Sequence, residues 1–183
     1  MENTNEKRSA SGLPAGMKCR QVAEIQLTYK SNVKPSLRPK ITGSKDAYNV
    51  LLENWDGTKI EFVEQFKVML LNRANKVLGI FEVSTGCSTG TVADPKLIFA
   101  AAIKANACGI ILAHNHPSGN LLPSQVDIDL TKKMKEGGKF LEIQVLDHVI
   151  VTTEGYYSFA DEERYSFLHE TSRGLELSSN TET

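Results

Sequence analysis

The chain is poor in cysteine, and this shortage excludes two common ways of stabilising a small protein. Its 183 residues include only 3 cysteines, at positions 19, 87 and 108, and no two of them form a C-x-x-C pair. An odd number of thiols without that spacing argues against a disulfide framework and against a thiolate zinc site. It suits a reducing compartment, so we expect a cytoplasmic protein.

Long apolar runs are missing as well. No segment approaches the roughly 18 apolar residues that a membrane-spanning helix needs, so no membrane partner is expected. The first residues, MENTNEKRSASGLPAG, are polar and lack the apolar stretch of a secretory signal. We interpret residues 1–16 as a disordered lead, residues 17–42 as an N-terminal strand and connector, and residues 162–183 as a polar C-terminal tail.

An excess of charge of either sign is also absent. The formal net charge is −1, whereas a nonspecific DNA-binding protein usually carries a strong positive charge. We interpret the two richest basic clusters as solvated faces. They contain Lys30, Lys34, Arg38 and Lys40, and Lys132, Lys133 and Lys135. The charge balance does not support a nucleic-acid partner, which stays an alternative.

Strand and helix patterns alternate in the first half of the chain. AEIQLTY, residues 23–29, has the period-2 pattern of a strand, and SKDAYNVLLENW has helical spacing behind a Ser44 cap. QFKVMLLN and VLGIFEVSTG predict two strands joined by a turn at RANK. DPKLIFAAAIKANA predicts a helix with Asp94 as N-cap and Pro95 in its first turn, closed by Gly109.

The second half continues this alternation. GIILA predicts a short central strand, and a helix capped by Ser124 follows and stops at Gly137 and Gly138. FLEIQVLDHVIVTTEGYYSF predicts two or three further strands around Gly155. This order predicts an α/β fold, a three-layer αβα arrangement with a central mixed sheet covered by helices on its faces.

The stretch HNHPSGNLLPSQVD, residues 114–127, connects the end of the central strand to the helix that follows. Open α/β sheets usually have their ligand-binding sites at this end of the strands. While the backbone stays extended, His114 and His116 project to the same side and can share one ion. The helix that follows can bring Asp127 round as a third ligand. Two imidazoles and one carboxylate leave a fourth position open, which is typical of catalytic zinc sites.

Simpler interpretations account for these residues singly. An H-x-H in a loop is more often solvated than ligating, and Ser124 with Asp127 forms an [ST]-x-x-[DE] capping box by itself. Neither of them explains the conjunction of two histidines and the box directly after a buried strand. We therefore favour a metal site that needs a nearby glutamate to transfer protons.

The run HNHPSGNLLPSQVD resembles the signature of the JAMM (JAB/MPN) metalloprotease superfamily, in which H-x-H-P is followed by S-x-x-D. The sequence of this run is similar to that of the RadC branch. Three other segments are similar to it as well: EQFKVMLLNRANKVLG, STG…TVADPKLIFAAAIKANA and VLDHVIV. The likeness covers residues 43–161. It implies a JAB/MPN, cytidine deaminase-like fold and a zinc metalloprotease that hydrolyses amide bonds in a protein or peptide-like substrate.

The same resemblance implies a role for each site residue. His114, His116 and Asp127 would hold one Zn²⁺ per chain, and Ser124 would donate to the developing oxyanion. The family's glutamate precedes an apolar strand, which favours Glu64 over Glu61 and Glu82. We interpret Asn115, Ser118 and Asn120 as solvated loop residues, with substrate contact as the alternative, and Asp147 and His148 as structural polar residues.

Other functions stay open as alternatives. A metal-dependent nuclease would use similar ligands, but no Lys or Arg occurs between residues 105 and 131 to meet phosphate charge. A nucleobase deaminase needs P-C-x-x-C, which is absent. Longer RadC proteins carry an N-terminal helix-hairpin-helix region without counterpart in residues 1–40, so we expect a stand-alone catalytic domain. A DNA-repair accessory role is the remaining rival, and the oligomeric state is left open.

Overall fold

The computed structural model describes residues 29–86 and 93–163. The predicted strand at residues 23–29 lies outside this part of the chain except for Tyr29. The predicted lead, residues 1–16, and all but the first two residues of the predicted tail also lie outside it. The proline-containing connector is described, and it includes a short 3-10 helix, Pro35–Leu37.

Five strands form one mixed sheet in the order β2-β1-β3-β4-β5. They are β1 (Gln65–Leu71), β2 (Val77–Thr85), β3 (Gly109–Asn115), β4 (Gln144–Val151) and β5 (Tyr156–Ser158). β3 and β4 are parallel, and the other neighbouring pairs are antiparallel. The predicted hairpin around RANK is confirmed as β1 and β2, and the strands around Gly155 as β4 and β5.

Three of the helices within the described residues cover the two faces of this sheet. They are α1 (Ser44–Glu53), α2 (Pro95–Lys104) and α3 (Gln125–Phe140). α1 lies on one face, where Leu51 joins an apolar cluster with alternate residues of β1, β3 and β4. α2 and α3 lie on the other, where Ile98 and Met134 pack with the remaining residues of β1 and β3. The predicted three-layer αβα arrangement is confirmed.

The ends of α1 and α2 differ from the prediction. Gly43 is the N-cap of α1, and Ser44 is its first helical residue. α2 ends before Gly109, because Asn106 takes a left-handed φ of 52° and the N–H of Ala107 bonds the carbonyl of Ala102 at 2.9 Å. This is the Schellman arrangement, which asparagine can close in place of glycine.

The two glycines predicted to stop α3 lie inside it. The helix continues to Phe140, and Glu142, with φ of 56°, closes it. Gly138 is instead needed for close approach, since a Cβ there would lie 2.4 Å from the carbonyl oxygen of Ile143. Gly138 therefore allows the chain to fold back against the end of the helix toward β4.

Candidate metal centre

His114 comes from the carboxyl end of β3, a strand in which every residue is buried. Its side chain is only 1% exposed, and its ring is stacked on Phe66 of β1 with centroids 6.0 Å apart. The two residues are direct partners in the antiparallel β1–β3 ladder. Sheet pairing and stacking therefore fix the position of this imidazole.

His116 lies just past the strand and is held by its own backbone and ring contacts. Its N–H donates to the carbonyl of Val151 at 3.2 Å, and its Nδ1 lies 2.6 Å from the carbonyl oxygen of Asn120. A carbonyl has no proton to give, so Nδ1 carries one, and in the neutral ring the lone pair is on Nε2. That Nε2 faces His114 Nε2 at 3.0 Å. The two histidines meet on one side, as predicted from their spacing.

Asp127 lies in the first turn of α3 and uses its two oxygens differently. The N–H and the hydroxyl of Ser124 both donate to Oδ2, at 2.7 and 2.6 Å. The other oxygen, Oδ1, lies 3.4 Å from His114 Nε2. The capping box and the ligand role, which the sequence presents as rivals, are therefore compatible, because each engages a different oxygen of one carboxylate.

The donor atoms of these three residues fit a small metal ion. Atoms from His114, His116 and Asp127 all lie within 4.8 Å of one another. A tetrahedral zinc ion with bonds of about 2.0–2.1 Å places neighbouring ligand atoms about 3.3 Å apart. The 3.0 Å and 3.4 Å separations are close to this value. The group therefore has the size and chemistry of a three-ligand site with one position left open.

Burial keeps the imidazoles of His114 and His148 neutral at ordinary pH. It lowers the pKa of His114 from 6.5 to about 4, an effect that Asp127 opposes and His116 reinforces. Burial also lowers the pKa of His148 well below its ordinary value, and the charges of His114 and His116 add to that shift. A metal needs deprotonated ligands, so His114 is already in the required state at neutral pH.

We expect the metal-free protein to lose stability as the pH falls below 6.5, the ordinary value for histidine. Below this pH the two histidines bind protons in the unfolded chain, whereas in the folded protein His114 and His148 stay unprotonated. The free energy of unfolding therefore decreases as the pH falls. Each group contributes up to about 1.4 kcal/mol per pH unit. Urea unfolding in the presence of a chelator between about pH 6.5 and 5 measures this slope.

The matched variant for this measurement is His148→Gln, which removes one of the two titrating groups and should reduce the slope by about half. A wild-type free energy of unfolding that stays constant across the same interval would contradict the neutral state of the two buried imidazoles.

Glu64 lines a cavity that one member of this group, His116, also lines. It directly precedes β1, and its carbonyl accepts the N–H of Gly86 at 2.9 Å. With His116 and Ser124 it lines a cavity of about 580 Å³. The alternatives lie elsewhere: Glu61 is exposed and accepts from Thr153, and Glu82 lines a different cavity. The placement favours Glu64 among the three, and its catalytic role stays a prediction.

Ser124 is committed to Asp127 in this structure. Its hydroxyl donates to Asp127 Oδ2, and in turn it accepts the N–H of Asp127 at 3.3 Å. Ser124 thereby orients the carboxylate. It lines the cavity as well, and its predicted role as an oxyanion donor stays a prediction.

The interpretation of Asn115 as a solvated loop residue, or as one that contacts substrate, is wrong, because this side chain is buried. Its side chain is 0% exposed. The amide nitrogen donates to the carbonyls of Ile60 and Val63 at 2.6 and 2.9 Å, and the amide oxygen accepts the N–H of Gln65 at 2.7 Å. The residue between the two histidines thus holds both chain neighbours of Glu64.

The other two loop residues make turn contacts. Asn120 Oδ1 accepts the N–H of Leu122 at 3.0 Å, and Ser118 Oγ accepts the N–H of Asn120 at 3.4 Å. Both residues are exposed and line the cavity. The alternative that they contact substrate stays a prediction.

Asp147 and His148 have different surroundings although they are adjacent. Asp147 accepts from Ser158 Oγ at 2.7 Å and from the N–H of Ala160 at 3.0 Å, contacts that tie down the end of β5. The Nε2 of His148 lies 2.9 Å from His114 Nδ1. The structural interpretation suits Asp147, but His148 touches a candidate ligand, which its position in the sequence does not reveal.

None of the helices within the described residues is both long and apolar enough to cross a bilayer.

The sequence of the chain is similar to those of known proteins. A family model described as the RadC-like JAB domain matches residues 41–165. A UPF0758 protein of Flavobacterium johnsoniae is 41% identical over 142 residues, which are 77% of this chain and 61% of the relative. One from Symbiobacterium thermophilum is 32% identical over 161 residues, 88% of this chain and 68% of the relative.

A third relative, from Thermosynechococcus vestitus, is 46% identical over 98 residues, 54% of this chain and 39% of the relative. The chain thus spans between 39% and 68% of the length of these three relatives.

Proposed function

The chain belongs to the RadC-like JAB domain family, and from this premise we propose that it is a zinc-dependent hydrolase of peptide or isopeptide bonds. The observation that carries the proposal is the convergence of His114 Nε2, His116 Nε2 and Asp127 Oδ1 beside a cavity that Glu64 also lines. Three ligands with an open position are typical of catalytic zinc sites rather than structural ones.

The protein's own groups have separate tasks in this reaction. When bound, zinc supplies Lewis-acid activation of water and of the substrate carbonyl. Glu64 takes a proton from the attacking water as it adds to the carbonyl carbon, and returns it to the nitrogen as the C–N bond breaks. Ser124 donates to the carbonyl oxygen as negative charge develops on it, which requires its hydroxyl to turn away from Asp127.

The lining of the cavity supports an amide rather than a phosphodiester substrate. None of the described residues that line it is Lys or Arg, whereas phosphoryl transfer needs cations to meet the developing charge. The walls include Phe62 and Leu122, two apolar residues that are 83% and 72% exposed. These apolar walls suit a peptide segment with an apolar side chain better than the charged phosphodiester backbone of a nucleic acid.

Metal analysis of protein purified without added metal tests this proposal. We expect about one zinc per chain in the wild type and almost none in His116→Ala, because two ligands hold a metal far more weakly than three. Asp129→Ala is the matched control: Asp129 lies two residues after Asp127 on α3, but its carboxylate bonds Gln125.

Two results would contradict the site. One is a full zinc content in His116→Ala, and the other is a wild-type protein that takes up no metal even when zinc is supplied. Circular dichroism on all three proteins shows that a loss of zinc does not result from unfolding.

A further inference from the structure

A line of hydrogen bonds runs from the backbone of α3 to the buried ring of His114. Thr131 Oγ1 lies 2.6 Å from the carbonyl oxygen of Asp127 and 2.6 Å from His148 Nδ1. His148 Nε2 then lies 2.9 Å from His114 Nδ1. The first contact lies within α3, and the other two join α3 to β4 and β4 to β3.

The position of each proton along this line follows from its first member. A hydroxyl has one proton, and the carbonyl of Asp127 has none to offer, so Thr131 donates to the carbonyl. Its oxygen then has only lone pairs left for His148. A hydrogen bond at 2.6 Å needs one proton, and the hydroxyl proton is already used, so His148 Nδ1 carries it and donates it to Thr131.

The protonated nitrogen of His148 determines which nitrogen of His114 carries a proton. His148 is 0% exposed, and its ring contacts Phe66 and Phe159, with centroids 5.6 and 4.9 Å away. A ring buried among aromatic side chains with no carboxylate at either nitrogen is neutral. Because Nδ1 holds its single proton, Nε2 is an acceptor. His114 Nδ1 must therefore be the donor across the 2.9 Å contact.

The consequence for His114 is that its Nε2 has no proton, so that this nitrogen and His116 Nε2, 3.0 Å apart, both direct lone pairs at the space that a metal ion would fill. Without the line, the other tautomer would be available, and its Nε2–H would donate to His116 Nε2 at 3.0 Å. That bond would tie the two ligand nitrogens to each other and block both. A ligand histidine usually has its second nitrogen engaged by a carboxylate, a carbonyl or water, whereas here the partner is a second imidazole.

We propose that His148, held by Thr131, is the positioning residue of the metal site and keeps His114 in the tautomer whose Nε2 binds metal. The inference rests on the proposed function for the identity of the ligand. α3 then serves the site twice, because Asp127 offers its carboxylate as a ligand and its backbone carbonyl as the start of the line.

The first test compares His148→Leu with His148→Gln. Leucine removes the acceptor for His114, whereas the glutamine amide oxygen can replace it. We expect zinc affinity, measured by competition with a chromophoric chelator, to fall about 10- to 100-fold in His148→Leu and to stay close to wild type in His148→Gln. Equal affinity in the wild type and His148→Leu would overturn the inference, and so would equal losses in both variants.

A second pair of variants covers the case in which His148→Leu does not fold. Thr131→Val removes the hydroxyl with almost no change in shape, and Thr131→Ser keeps it. We expect weaker zinc binding in Thr131→Val than in Thr131→Ser. Equal affinity in the two would show that the line does not control the metal site.

The tautomers can be measured directly in the metal-free protein. Two-dimensional ¹H–¹⁵N correlation spectra of histidine side chains distinguish protonated from bare ring nitrogens. We expect the wild-type His114 to carry its proton on Nδ1, and His148→Leu to shift it toward Nε2. A wild-type proton on Nε2 would overturn the inference.

This spectrum also separates the inference from the proposed function. If the wild type took up no metal while His114 carried its proton on Nδ1, the zinc hydrolase proposal would fail and the tautomer control would stand. If zinc bound while the proton lay on Nε2 in the metal-free protein, the control by His148 would fail and the zinc site would stand.

Discussion

Replacing Glu64 by glutamine is expected to abolish amide hydrolysis while leaving the zinc content unchanged. The carboxylate lines the cavity with His116 and Ser124, but it is not among the three residues whose donor atoms converge. Glutamine keeps the shape and cannot accept the proton of the attacking water. Loss of a general acid and base costs about 10²- to 10⁴-fold in rate.

The measurement is turnover of a panel of fluorogenic peptides and isopeptides by the zinc-loaded proteins. Glu61→Gln and Glu82→Gln are matched controls, since Glu61 precedes β1, Glu82 lies within β2, and both carboxylates contact other groups. Hydrolysis that continues at the wild-type rate in Glu64→Gln would show that another group transfers the proton. A loss of zinc in Glu64→Gln would mean that Glu64 is a ligand.

Replacing Asn115 by alanine is expected to cost the protein about 3 kcal/mol or more, since each buried polar group left without a partner costs about 1–3 kcal/mol. The amide is the partner of the Ile60 and Val63 carbonyls and of the Gln65 N–H. Stabilities of whole domains are about 5–15 kcal/mol, so the variant should fold but unfold at a lower urea concentration. Turnover should fall as well, because Glu64 lies between two residues that this amide holds.

Asn120→Ala is the control for this variant, because its side chain belongs to the same loop but is exposed and bonds only a neighbouring turn. Its unfolding midpoint in urea should stay near that of the wild type. An Asn115→Ala midpoint equal to that of Asn120→Ala would show that the three buried bonds contribute little to stability.

The part of the site that the sequence predicted well consists of short-range geometry. Residues two apart in an extended chain face the same side, which brought His114 and His116 together. A capping box spans one turn of helix, which oriented Ser124 and Asp127. Alternating apolar patterns likewise predicted the strands of the sheet and the helices that cover it, although the caps of α1 and α2 and the end of α3 differed.

Glu64 is an intermediate case, because the resemblance to the family singled it out but spacing could not. It lies 50 positions before His114. The antiparallel register that pairs Phe66 with His114 brings the start of β1 to the end of β3. Nothing local in VEQFKVMLLN distinguishes this acid from a solvated residue at the start of a strand.

The sequence by itself determined the strands, the helices and the H-x-H and S-x-x-D groups, because these depend on bonds and periodicities within a few residues. Only the tertiary structure decided the roles of Asn115, Thr131 and His148. Most of their partners lie in other elements. The role of a buried amide, hydroxyl or imidazole depends on the group to which it is hydrogen-bonded. Sheet register and helix packing determine which group that is, and neither can be predicted from the sequence pattern of a few neighbouring residues.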